Sequence, residues 1–270
     1  MTKEDLRADL EALGVWAGDL VMVHASLRKL GLGRADFGPG GAEALLDALD
    51  EAVGPDGTLM MVLGTDYPMD WVYEHPPEAR AALLAGSPPF DHRNAPVLPE
   101  VGWLAEAFRR RPGTIVSDNP SGRFGARGQQ AEALMADQPW HDYYGPGSPL
   151  DKLCASGGKI LRLGANPDTV TALHYAEYLA DVPDKKRVRW DYMVAGPDGS
   201  PLHVWIDCLD DLNGIVHRDG EDYFALILRD YLALARHRDG QVGGTTSQLI
   251  HAADIVRFGA DWMTRQFQQR

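Results

Sequence analysis

The sequence predicts an α/β fold: a three-layer α/β/α sandwich with a β-hairpin extension. Three observations carry this. Uninterrupted apolar runs at 19–24, 58–63 and 159–163 suit strands buried on both faces, as parallel sheets require. The first two runs are joined by a helical pattern at 41–53, which makes a strand–helix–strand unit of the kind that forms right-handed parallel pairs. Residues 187–207 alternate around Gly196-Pro-Asp-Gly199, a hairpin signal.

Each element follows from local pattern. Leu6, Leu10 and Leu13 form one stripe over 4–13, with Thr2 as N-cap and Gly14 as the stop. Ala44, Leu45, Ala48 and Leu49 mark the helix at 41–53, and Gly54-Pro-Asp-Gly57 turns the chain into the second strand. Residues 65–100 are rich in Pro and aromatics without a period, and read as a long functional loop. Helices are predicted at 100–110 and 129–136, and Ser148-Pro149 reads as an N-cap with proline at the first helical position. Gly164 closes the third strand, and Asp168 is the natural cap of a helix starting at Thr169. A helix at 221–236 carries Tyr223, Leu226, Ile227 and Tyr231 on its apolar face, and a last helix starts near 252. No repeat, low-complexity tract or interdomain linker interrupts the chain, so 1–270 is predicted to be a single domain.

Composition bounds the function. With 26 Lys plus Arg against 39 Asp plus Glu, the formal net charge is −13. This opposes a nucleic-acid or anionic-membrane partner and suits a cationic small molecule, although many soluble proteins are simply acidic. Two cysteines, Cys154 and Cys208, make neither a disulfide framework nor a Cys-rich zinc site. No apolar run approaches a membrane span and no signal-peptide core follows the charged N-terminus, so a cytoplasmic protein is expected.

Open α/β sheets bind ligands beyond the carboxyl ends of their strands. Those ends carry His24-Ala-Ser26, Gly64-Thr-Asp66 and the segment after Gly164. On the predicted helix after Asp168, His174 and Glu177 share a face. A carboxylate raises the basicity of an imidazole and orients it, as a general base needs, but the same spacing fits a surface His–Glu pair. The stretch Ser26–Gly33, with Arg28 and Lys29, offers backbone N–H groups and two cations to a pyrophosphate, or is a solvated loop. Its Arg-x-x-Gly-x-Gly pattern also occurs in the common N-acetyltransferase superfamily but is short and degenerate. The nucleophile elbow, the Walker A loop, the dinucleotide fingerprint and the His-Glu-x-x-His zinc motif are all lacking.

Val23-His-Ala-Ser-Leu27, Pro89-Phe-Asp91, Gly147-Ser-Pro149, Leu161-Arg-Leu-Gly164, Thr171-Ala-Leu-His-Tyr-Ala-Glu177, Asp181-Val-Pro183 and Asp254-Ile-Val-Arg-Phe-Gly259 occur in order along nearly the whole chain. Together they resemble the aminoglycoside N3-acetyltransferase family, whose α/β/α fold is unrelated to the common superfamily. The resemblance implies acetyl-CoA as donor, the 3-amino group of a 2-deoxystreptamine antibiotic as acceptor, resistance as the outcome, and no metal. It implies His174 as catalytic base with Glu177. It puts His24, Ser26, Leu27, Arg28, Lys29 and Asn119 along coenzyme A, and makes Asp66, Asp91, Asp210 and Asp211 the acids that hold the cationic sugar. One departure stands out: where the family has Ser-x-His-Pro-x-x-Ser, this chain has Ser117-Asp-Asn-Pro-Ser-Gly-Arg123. A second function class, a non-catalytic or hydrolytic α/β domain binding another cation, is discriminated by whether the protein binds coenzyme A.

Overall fold

The three apolar runs become neighbouring parallel strands. In the computed structural model, which describes residues 2–32, 40–65, 70–86 and 88–268, they are β1 (Leu20–Ala25), β2 (Thr58–Val62) and β5 (Lys159–Leu163). β1 lies between the other two, with Met22 opposite Met60 on one side and Ile160 on the other. Alternation along β1 sends Leu20, Met22 and His24 to one face and Val21 and Val23 to the other.

Two apolar layers cover these faces. Val21 and Val23 pack with Leu6, Leu10 and Leu13 of α1 (Lys3–Leu13) and with α2 (Gly40–Val53). Leu20 and Met22 belong to a second cluster, with residues from helices that precede β5 in the chain (Leu134, Leu150) and that follow it (Leu173, Ile255). The N-terminal cap is as predicted, with Thr2 accepting from Asp5 N–H in a full capping box.

Four further strands complete a seven-stranded sheet in the order β3-β4-β2-β1-β5-β9-β8. They are β3 (Ile115–Val116), β4 (Phe124–Gly128), β8 (Arg238–Val242) and β9 (Thr245–His251), all paired antiparallel to their neighbours. The hairpin forms a separate two-stranded sheet, β6 (Arg187–Ala195) with β7 (Pro201–Leu209).

Several predicted elements change. The 65–100 segment is not continuous loop: it contains a 3₁₀ turn at Asp70–Glu74 and α3 (Pro77–Leu84), whose single buried residue, Leu84, leaves no period to read. The 100–110 helix shortens to α4 (Trp103–Arg110), because Gly102 adopts φ +96° and breaks it from the 3₁₀ turn at Pro99–Val101. The 129–136 helix is α5 (Ala131–Met135), and Ser148 caps α6 (Pro149–Ala155) as expected. The helix set at Thr169 is α7 (Leu173–Leu179), four residues later; Asp168 bonds the Thr169 hydroxyl instead of capping it. α8 (Tyr223–Leu232) is capped by Asp222, and α9 (Ala252–Phe267) ends the described chain.

Among the described residues, no helix is long and apolar enough to cross a membrane. Cys154 on α6 and Cys208 on β7 are free thiols, and burial pushes each up to about 12.

Candidate active site

A cavity of about 920 Å³ opens beyond the carboxyl ends of β1, β2 and β5. This is where strand order reverses about β1, the usual ligand crevice of an open sheet. His24, Ser26, Leu27, Arg28 and Lys29 line it from β1, Thr65 from β2, and Ala165 and Asn166 from β5. His174 and Asp211 line it from the helical side.

His174 sits in the first turn of α7 with its ring stacked on Tyr144 (4.9 Å, 15°) and edge-on to Phe224 (4.8 Å, 63°). Its Nδ1 lies 2.8 Å from Glu177 Oε2, so the pair read as sharing a helical face does meet. Glu177 is 1% exposed, which rules out the surface-pair reading. Burial alone would lower the His174 pKa, but the adjacent Glu177 carboxylate outweighs it and the pKa is raised. With Nδ1–H donated to Glu177, the tautomer that results leaves the Nε2 lone pair unspent.

Asp211 is the one sequence-nominated acid among the described residues that reaches the cavity. Its Oδ2 accepts from the Tyr143 hydroxyl at 2.7 Å. Burial raises its pKa, against the opposing pull of His174 and of that hydrogen bond.

The other acids are used elsewhere. Asp210 is buried, paired with Lys186 at 3.3 Å and accepting from Asn213 N–H at 2.8 Å; it pins the turn after the hairpin. Asp91 is exposed and accepts from Arg93 N–H, Asn94 N–H and the Asn94 side chain, closing its own turn. Asp66 and Tyr67 lie outside the described residues. Among the described residues of the 65–100 segment, Thr65, Leu98 and Glu100 line the cavity, while Trp71 packs edge-on to His75 and Phe90 is buried.

Of the residues nominated for coenzyme A, His24 is buried and its pKa is depressed to about 3, by burial first and then by the neighbouring Arg162. It is therefore a neutral imidazole and gives a phosphate no charge. The turn after β1 offers fewer free N–H groups than its sequence suggests. Ser26 N–H goes to Leu163 O, Lys29 N–H to Ser26 Oγ, Leu30 N–H to Ser26 O, and Gly31 N–H to Arg28 O. Its cations remain: Arg28 is exposed, and Lys29 Nζ reaches Asn166 Oδ1 at 3.0 Å. Across the cavity stands the first turn of α4, Gly102–Ala105, which sequence reasoning missed; helix N-termini favour anions.

Asn119 is not on the cavity wall. It is fully buried, donates to Pro139 O and Trp140 O, and accepts from Ser121 and Gly122 N–H, so its hydrogen-bonding capacity is spent on tying its own turn to the 139–140 segment. Arg123, also fully buried, donates to the carbonyls of Gly64, His92, Ala95 and Pro96. The departure from the family pattern is thus a structural bracket between β4, the end of β2 and the 92–96 loop. Among the described residues, no group of three or more His, Cys, Asp or Glu is arranged to hold a metal ion.

Sequence reasoning also missed the aromatic frame of the site. Tyr143, Tyr144 and Trp190 line the cavity, Phe224 packs on His174, and Tyr223 donates a close hydrogen bond to Glu177 Oε1. Tyr223 had shown only as part of an apolar stripe, because its polar end reveals its partner only once the chain is folded.

Comparison with known proteins bears on this arrangement. The family profile described as aminoglycoside 3-N-acetyltransferase matches residues 22–264. Aminoglycoside N(3)-acetyltransferase VIII of Streptomyces fradiae is 39% identical over 97% of this chain and 92% of its own length. The solved structure of AAC-IIIb with CoASH superposes with a TM-score of 0.89 at 39% identity, covering 99% of this chain and 97% of that one. AAC-VIa bound to sisomicin gives 0.87 at 40% identity, covering 99% and 98%. On profile, sequence and fold together, the chain belongs to the aminoglycoside 3-N-acetyltransferases, a family of acyltransferases.

Proposed function

We propose that residues 1–270 act as one catalytic unit that transfers an acetyl group from acetyl-CoA to the 3-amino group of a 2-deoxystreptamine aminoglycoside, with His174 as general base. The observation that carries this is the buried Glu177–His174 pair at 2.8 Å, one ring nitrogen spent on the carboxylate and the other left for the cavity. Relatives solved with CoASH and with sisomicin support the two ligand classes. Family membership removes the ground for a hydrolytic or non-catalytic domain.

The chemistry follows from the residues. An aliphatic ammonium cannot attack a thioester until it loses a proton. Neutral His174 accepts that proton at Nε2, and Glu177 balances the imidazolium that forms. The freed amine adds to the thioester carbonyl, the carbon–sulfur bond breaks, and the coenzyme thiolate leaves and takes up the second proton that the attacking nitrogen sheds as the amide forms. Asp211 holds another ammonium of the acceptor and keeps the reacting amine near His174. Arg28 and Lys29 meet the coenzyme phosphates from one side of the cavity, and the first turn of α4 meets them from the other. His24, neutral and buried, belongs to the uncharged part of the coenzyme site. In the cell this acetylation removes a positive charge from the antibiotic and confers resistance.

The test is release of coenzyme thiol from acetyl-CoA across a panel of aminoglycosides, with the product's acetylated position read by NMR. No release with any aminoglycoside, or acetylation at a different amine, overturns the proposal.

Two variants separate the ligand sites. Asp211→Asn keeps shape and the Tyr143 bond but removes the anion. It is expected to raise the acceptor KM roughly tenfold, the worth of one charge-assisted hydrogen bond, and to leave that for acetyl-CoA unchanged. Because Asp211 is largely buried, the effect should persist with added salt. Arg28→Ala should do the opposite, raising the acetyl-CoA KM about three- to tenfold, as befits a solvent-exposed charge. Steady-state kinetics with each substrate varied in turn checks both.

A further inference from the structure

Glu177 serves His174 with only one of its two oxygens. A carboxylate this buried needs its charge balanced on both. The second oxygen, Oε1, takes a close hydrogen bond from the Tyr223 hydroxyl, and that hydroxyl accepts the Ile215 N–H at 3.2 Å. Ile215 N–H, Tyr223, Glu177 and His174 thus form a single chain of hydrogen bonds ending at the cavity.

The fold is built to hold the phenol there. Asp222 caps α8 by accepting from Phe224 N–H at 2.7 Å, which fixes the first turn. The next two residues divide the work: Tyr223 reaches the carboxylate, and Phe224 touches the His174 ring. The loop carrying Ile215 closes on the phenol because residue 214 is glycine. Gly214 sits at φ +77°, and a Cβ there would stand 2.7 Å from Tyr223 Cε1 and 3.0 Å from its oxygen. Burial pushes the Tyr223 phenol well above its usual range, with Glu177 adding to the effect, so it stays a donor at any working pH.

We propose that Tyr223 is a positioning residue of the acetyl transfer: by donating to Glu177 Oε1 it fixes that carboxylate, takes up part of its charge, and so sets the basicity of His174. The proposal rests on His174 being the base. Its sign is definite. With the phenolic donor gone, the carboxylate's charge leans more heavily on the imidazole, which favours the protonated ring. The other charges facing the group are Asp211 and Asp222 toward His174, and Lys185 toward Glu177. None of these is altered by a change at Tyr223.

Tyr223→Phe removes one oxygen and keeps the ring contacts with Phe224 and Phe267. The expected result is a roughly tenfold lower kcat at neutral pH, within the range of acid–base effects, with both KM values nearly unchanged. The acidic limb of the kcat profile should move up by roughly half a pH unit or more, the size of one buried hydrogen bond. Raising the pH should recover part of the loss. The His174 ring titration, followed by NMR without substrates, should move up by the same amount.

A second variant keeps the test open if the phenylalanine protein folds poorly. Incorporating 3-fluorotyrosine at 223 gives a stronger donor in nearly the same shape and is expected to move the His174 titration down. A merely structural tyrosine would move neither titration. Midpoints unshifted in both variants, or a kcat loss of the same size at every pH, overturn the proposal. Because the NMR titration needs no acyl donor, failure of acetyl transfer would refute the proposed function and leave this measurement standing.

Discussion

Arg123→Ser, which restores the residue type of the family pattern, is expected to lower the melting temperature by roughly 10 °C. The guanidinium is fully buried and donates to four carbonyls, on Gly64, His92, Ala95 and Pro96. Serine reaches at most one of these. The others lose a charged donor and are left in a site that water does not reach. Each such loss costs about 1–3 kcal/mol, and the set about 3–5 kcal/mol because the effects are not additive. In a chain of this size each kcal/mol is worth about 2–4 °C. Thermal unfolding checks this, and a melting temperature within about 2 °C of wild type would mean that the bracket is dispensable. The wild-type Arg123 pKa is depressed to about 10, by burial first and then by Arg109, so the side chain is still charged at neutral pH and the carbonyls are what balance it.

His174→Ala is expected to reduce kcat by roughly 10²–10⁴-fold, the usual worth of acid–base catalysis, with the acetyl-CoA dissociation constant within about twofold of wild type. The pH dependence gives an independent check. A general base works in its neutral form, and the His174 pKa is raised despite burial because Glu177 stabilises the imidazolium. The kcat of the wild type should therefore fall as pH drops through a limb that lies above the ordinary histidine value, and this limb should vanish in the alanine variant. Turnover within a few-fold of wild type in a folded His174→Ala protein would remove His174 from the base role.

The parts of the fold that could be read from the sequence are those where one physical requirement dominates. β1, β2 and β5 are buried on both faces, so their apolar runs are continuous and visible. β8 (Arg-Asp-Gly-Gln-Val) and β9 (Thr-Thr-Ser-Gln-Leu-Ile-His) lie toward one edge and are mostly polar, and β4 contains Gly125 and Arg127, so none of the three had a pattern to find. The site divides in the same way. His174 and Glu177 were legible because three residues on a helix fix their proximity. Tyr223 comes from a helix 46 residues further on, and only tertiary packing brings it to Glu177. Asp91, Asp210 and Asn119 had the residue types a ligand site uses, yet each accepts from backbone N–H groups of its own turn, and Asn119 also bonds the 139–140 segment and Asp210 also pairs with Lys186. Asx side chains bond neighbouring backbone readily, and type alone does not separate that use from ligand binding.

The two free thiols, Cys154 half-buried and Cys208 buried, have a consequence for how this protein can be measured. With both raised to about 12, the thiolate fraction at pH 8 is on the order of one in 10⁴. An aromatic disulfide reagent added to the native protein is expected to react slowly with the chain's own sulfurs, so that the colour it develops counts mainly coenzyme released, which a reading without acetyl-CoA checks. The same reagent in denaturant counts Cys154 and Cys208. Read without acetyl-CoA, the reagent counts only chains whose Cys154 and Cys208 have become exposed, and its ratio to the denaturant reading gives the unfolded fraction, which separates a variant that is slow from one that is merely unfolded.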